Sequence, residues 1–101
     1  MMTSKQRAYL KGLAMKLDTI FQIGKSGVTE EICNQLLNAL NARELIKIKM
    51  LETCPTDIKE TENLIANGTG ADIVQTIGMK IVLFRASDNE ENRTINLNKI
   101  K

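Results

Sequence analysis

The chain has 101 residues, 43% apolar and 26% charged, with a net charge of +2; these are the proportions of one soluble globular domain, not of a disordered or membrane-embedded chain. It holds no histidine, no tryptophan and only 3% aromatic residues, which excludes imidazole acid–base chemistry and His-based metal ligation and leaves little for stacking bases on exposed rings. The charge is uneven: residues 1–49 carry eight Lys/Arg against four Asp/Glu, a balance of +4, whereas residues 50–101 carry six against eight, a balance of −2.

A first helix is predicted from Ser4 to Leu17, because Leu10, Leu13, Ala14 and Leu17 repeat at i, i+3, i+4, i+7. Lys5 and Lys16 fall together away from that stripe and Lys11 falls on its flank. Such lysines suit an anionic partner, and they equally suit a solvated helix face. Thr19 to Ile23 reads as a short strand. Val28, Ile32, Leu36 and Leu40 then recur every four residues, giving a second helix from about Thr29 to Arg43. Thr29 is its cap, and Glu30 and Glu31 sit at the positive end of its dipole.

Leu45 to Met50 alternates with period two and reads as a second strand. Ile46, Ile48 and Met50 point to the core, and Lys47 and Lys49 to the other face. The two lysines either protect a sheet edge or form part of a binding surface. Pro55 breaks the strand, and Thr56 or Asp57 caps a third helix anchored by Ile58, Leu64 and Ile65. Asn67-Gly68-Thr69-Gly70 ends it with a glycine in left-handed geometry. Ala71 to Ile77 and Lys80 to Ala86 are strands joined by Gly78-Met79, the pattern of a type II′ hairpin. The apolar run Ile81 to Phe84 marks a central strand covered on both sides. Residues 88–101 are polar and Asn-rich, expected to form a loose tail with a possible short edge strand from Arg93 to Leu97.

The order α-β-α-β-α-β-β gives an α/β fold, a two-layer sandwich with a four-stranded mixed sheet and packed helices, as one domain over residues 1–87. Met1 to Gln6 is polar, without the pattern of a signal peptide, and no apolar run nears the ~18 residues of a membrane span. Cys33 and Cys54 are therefore expected as reduced thiols in a cytoplasmic protein.

The segment that carries most chemistry is Ile23-Gly24-Lys25-Ser26-Gly27-Val28, a Gly-x-x-Gly loop between a strand and a helix. It is not a nucleotide-binding P-loop: Thr19 stands where the leading glycine of G-x-x-x-x-G-K-[ST] belongs, and the residues between read as strand. A Gly-x-x-Gly loop brings backbone close to a sugar-phosphate chain, and also serves as a plain turn. Glu30 and Glu31 would repel an anion at the helix start, which leaves Lys25 and the loop amides as the contacts.

Lys5-Gln6-Arg7-Ala8-Tyr9-Leu10-Lys11-Gly12-Leu13-Ala14, the glycine loop through Glu30, Glu44 to Lys49, and Gln75 through Arg85 together resemble the CRM domain (chloroplast RNA splicing and ribosome maturation). The likeness is to its stand-alone bacterial form, the YhbY-like proteins, and runs from about Ser4 to Ser87. The resemblance implies a fold similar to the C-terminal domain of translation initiation factor three. It also implies an RNA-binding protein that associates with precursor large ribosomal subunits. With no histidine, no paired acids beside a nucleophile and no metal-ligand cluster, a non-catalytic protein without cofactor, metal or small-molecule substrate is expected, away from membranes and as a monomer. Gly24, Lys25, Ser26 and Gly27 correspond to the family's RNA-contacting loop, and Lys5, Lys11 and Lys16 to its basic surface, with Lys47 and Lys49 as further candidates. Phe84 departs from the family pattern, where an aromatic with a hydroxyl is common. The alternative is a protein-interaction adaptor on ribosomal particles, whose basic residues only solubilise it.

Overall fold

The computed structural model describes residues 2–89 together with 91, 93 and 95. Its elements are α1 (Ser4–Ala14), β1 (Thr19–Ile23), α2 (Glu30–Arg43), β2 (Leu45–Met50), α3 (Ile58–Thr69), β3 (Asp72–Ile77) and β4 (Lys80–Phe84). The four strands form one mixed sheet in the order β1-β2-β4-β3; β1 and β2 are parallel, and β4 runs antiparallel to both β2 and β3. The expected α/β order and mixed sheet are thus present.

Local chemistry sets the element ends. Thr3 and Gln6 form a reciprocal capping box at the start of α1, with N–H···O distances of 2.9 and 3.1 Å. Thr29 Oγ1 accepts the Ile32 N–H and Asp57 Oδ1 accepts the Glu60 N–H, so α2 and α3 start on their predicted caps. Gly70, at φ 74°, closes α3 in the left-handed region. Gly78 has φ 59° while Met79 keeps a negative φ, the II′ geometry. Helix α1 is one turn shorter than its apolar spacing suggests. After Ala14 the chain tightens, Leu17 N–H donating to Ala14 O, and turns into β1.

The alternation of β2 and β4 builds two cores. Ile46, Ile48, Ile81 and Leu83 face α2 and α3, joining Ile23, Leu36, Leu40 and Ile65. Leu45, Val82 and Phe84 face the opposite way, against Leu10 and Ala14 of α1. The expected two-layer packing therefore describes α2 and α3 on the sheet, and α1 adds a partial third layer. Strand β4 is central and buried on both faces from Ile81 to Phe84. Two expected core residues lie nearer the surface, Leu13 at 38% and Leu64 at 40% exposure. On α3 the buried positions are Thr61, Ile65 and Thr69. The two threonines satisfy their hydroxyls locally, Thr69 Oγ1 donating to Ile65 O at 2.7 Å and Thr61 Oγ1 bonding Thr56 Oγ1 at 2.5 Å.

The chain beyond β4 is not loose where it is described. Glu44, fully buried at the C-cap of α2 with φ 65°, accepts the N–H groups of Ser87 (2.9 Å) and Ile95 (3.1 Å) on its two carboxylate oxygens. Asp88 N–H donates to Asn41 Oδ1, and Arg93 Nε donates to Ser87 O. A buried carboxylate needs donors, and this segment supplies them. The edge strand expected from Arg93 to Leu97 falls mainly on residues outside the described set; Arg93 and Ile95 themselves are not in a strand.

Candidate nucleic-acid interface

The Gly-x-x-Gly loop leaves the C-terminal end of β1 as a tight turn, Gly27 N–H donating to Gly24 O at 2.9 Å. Gly27 has φ 67°, which favours glycine, and a Cβ there would sit tightly against Pro55 Cγ at 3.2 Å. The loop rests on the segment that follows β2: Leu51 N–H extends the sheet to Ile23 O, and Gly24 faces the Leu51 and Thr53 side chains. Lys25 and Ser26 form the exposed tip. Among the described residues their backbone N–H groups have no hydrogen-bond partner, so the tip carries one cation and two unused donors. The helix start behind it is already occupied: Thr29 takes the Ile32 N–H, and Glu30 and Glu31 fill the first turn.

Lys47 and Lys49 sit on the α1 face of β2. Because β2 lies between β1 and β4, they protect no edge, and the edge reading falls away. Nor does α1 cover them, since it packs on Leu45, Val82, Phe84 and Val74. The antiparallel register sets Lys49 directly opposite Lys80 of β4, on the same face. Like charges directly opposed destabilise a sheet, by about 0.2–1 kcal/mol relative to neutral pairs. Among the described residues the one ion pair is Arg85–Asp88, so none of these lysines is neutralised by a carboxylate. At the other end of β2, Lys16, Arg43 and Lys47 line a shallow cavity of about 300 Å³ with Asp18 as its single acid.

The α1 lysines divide. Tyr9 and Leu13 line a groove with Arg43 and Leu45, so that flank of α1 faces the beginning of β2. Lys11 is on the opposite flank of the helix. Lys16 reaches the cavity. Lys5 stands apart, near the end of α1 that Arg7 ties to β3 by donating to Ile73 O (2.8 Å) and Val74 O (2.9 Å). Arg7 is thus a clamp for the helix. Sequence reasoning did not single out Arg43 or Lys80. Arg43 reads as an ordinary cation at a helix C-terminus, and Lys80 joins Lys49 only once β2 is known to pair with β4.

The two thiols differ. Burial pushes the Cys33 thiol up, and Glu30 adds to this. Burial acts the same way on Cys54, but its contacts with Thr56 (3.5 Å) and Thr61 (3.7 Å) outweigh it and leave that thiol below its ordinary value. Both are free.

Residues 2–85 match the model of the CRS1 / YhbY (CRM) domain. The chain belongs to the CRM domain family. This CRM domain is 41% identical over 97 residues to "Probable RNA-binding protein YqeI" of Bacillus subtilis, covering 96% of this chain and 99% of that one. It is also 41% identical over 91 residues to a Haemophilus influenzae protein named "RNA-binding protein", covering 86% and 88%. In three dimensions the CRM domain superposes on the solution structure of the hypothetical protein SAV1595 from Staphylococcus aureus with a TM-score of 0.75 at 38% identity, over 95% of this chain and 100% of that one.

Proposed function

We propose that this CRM domain is a non-catalytic RNA-binding protein that associates with precursor large ribosomal subunits and assists their assembly in the cytoplasm. The observation that carries the reading is the row of unpaired cations on an interior strand, beside a glycine loop whose exposed amides are free. That row lowers the stability of the sheet, and phosphates would repay it. Two close relatives bear the name of RNA-binding proteins. With few aromatics, recognition rests on shape and backbone charge, giving affinity before sequence readout. No histidine is present to serve as acid or base. Crosslinking in cells followed by sequencing of the attached RNA tests the proposal. Enrichment of large-subunit ribosomal RNA supports it, and RNA recovery at the level of an uncrosslinked control contradicts it.

A second reading, a protein adaptor, is favoured by the groove of Tyr9, Leu13, Leu17, Leu45 and Ile95, where Tyr9 is 44% exposed. Co-sedimentation with ribosomal particles that survives nuclease treatment supports the adaptor; release by nuclease supports direct RNA contact.

A further inference from the structure

Cations from four separate elements come together along one strand. Arg43 ends α2, Lys16 lies in the turn after α1, Lys47 and Lys49 belong to β2, and Lys80 opens β4. The Lys16–Arg43–Lys47 cavity lies at the start of β2, and the Gly24–Gly27 loop lies beside its end, because β1 and β2 are parallel and Ile23 pairs with Met50. Strand β2, six residues long, rises roughly 20 Å at 3.3 Å per residue, of which about 10 Å separates Lys47 from Met50. Lys49 and Lys80 fall between the two ends.

Acids lie around this track, Glu52 among them on the segment beneath the glycine loop. Glu30 and Glu31 flank the loop on the α2 side, and α3 carries Asp57, Glu60 and Glu62. Asp18 is the one acid in the cavity, against three cations. Cations thus predominate along β2, and acids outnumber cations on α2 and α3.

Resting on the RNA-binding reading above, we propose that the backbone of one RNA strand crosses the domain along β2. It is gripped at one end by the Gly24–Gly27 loop and at the other by a phosphate site of Lys16, Arg43 and Lys47, with the Lys49–Lys80 pair between them. A track of this length spans several consecutive phosphates of one strand. Arg43 contributes a planar fork that holds a phosphate with two parallel hydrogen bonds. Lys80 makes the opposing lysines of β2 and β4 a two-pronged contact.

The test is binding of a labelled RNA stem-loop, titrated over a range of salt, by wild type, Lys25→Ala, Arg43→Ala, Lys80→Ala and Lys59→Ala. Lys59 is an exposed cation on α3, away from the track. Thermal melts of each variant monitor folding, and Arg43→Gln and Lys80→Gln repeat the test with side-chain bulk retained. Arg43→Ala and Lys80→Ala should each weaken binding roughly fivefold at low salt and flatten the slope of log K against log salt by about one, with Lys59→Ala unchanged. If Lys25→Ala weakens binding and the Arg43 and Lys80 variants match wild type, the track is wrong and the RNA-binding reading stands. If Arg43→Ala lowers the melting temperature alone, it is a helix-end residue and the phosphate site is refuted. If wild type itself shows no salt-dependent binding, the RNA-binding reading and the track fail together.

Discussion

Lys49 and Lys80 stand directly opposite one another across β2 and β4, on the face of the sheet that α1 leaves open. The pair is unfavourable for folding and useful for binding an anion. Replacing Lys80 by Thr, a good strand former, should therefore raise stability by up to about 0.5 kcal/mol at low salt while weakening RNA binding. The gain should shrink as salt screens the repulsion. Chemical denaturation and RNA titration of the same variant check both halves, and a loss of stability with unchanged binding contradicts the pairing.

Helices α2 and α3 pack closely where Gly68 meets Cys33: a Cβ on Gly68 would clash with Cys33 Sγ. Gly68→Ala should destabilise the fold by about 1–2 kcal/mol, overpacking exceeding the better helix propensity of alanine. Adding Cys33→Ala removes the obstructing sulfur and should recover much of that loss. A double-mutant cycle by urea unfolding measures the coupling, and strict additivity would show that the helices part freely.

The thiols should react in order. Cys54 is partly exposed with its titration lowered by the Thr56 and Thr61 contacts, whereas burial raises that of Cys33. Since the thiolate is the nucleophile, iodoacetamide near neutral pH should label Cys54 first, with its rate rising at lower pH than that of Cys33. Thr56→Val should slow Cys54 labelling. Peptide mass mapping over a pH series reads both effects, and preferential labelling of Cys33 contradicts the assignment.

Much of this arrangement was legible in the sequence because it is local. Helix caps, the II′ hairpin at Gly78 and the alternation of β2 are each written within a few residues. The strand order is not local. That Lys47 and Lys49 occupy an interior strand, and that Lys80 faces Lys49, follows only from β4 inserting between β2 and β3. Leu64 looked like an anchor by composition; the helical face instead turned Thr61 and Thr69 inward because neighbouring groups satisfied their hydroxyls. The binding of Ser87 and Ile95 to Glu44 spans more than forty positions, beyond any pattern of spacing.

Glu44 combines a strained backbone with a buried carboxylate that receives those two N–H groups. Glu44→Ala should lower stability by about 2–3 kcal/mol, since buried donors lose a charged acceptor and the positive φ persists. Glu44→Gln keeps one carbonyl acceptor and should lose less. Thermal unfolding ranks the two, and equal stability of wild type and Glu44→Ala would contradict the anchoring role.

The central claim is that the glycine loop meets RNA through Lys25 and its free amides. It is tested most directly by the salt dependence of RNA binding in wild type and Lys25→Ala. The account predicts that the variant binds more weakly at low salt, with a slope of log K against log salt shallower by about one, and unfolds at the same temperature. Superimposable salt titrations for the two proteins would contradict it.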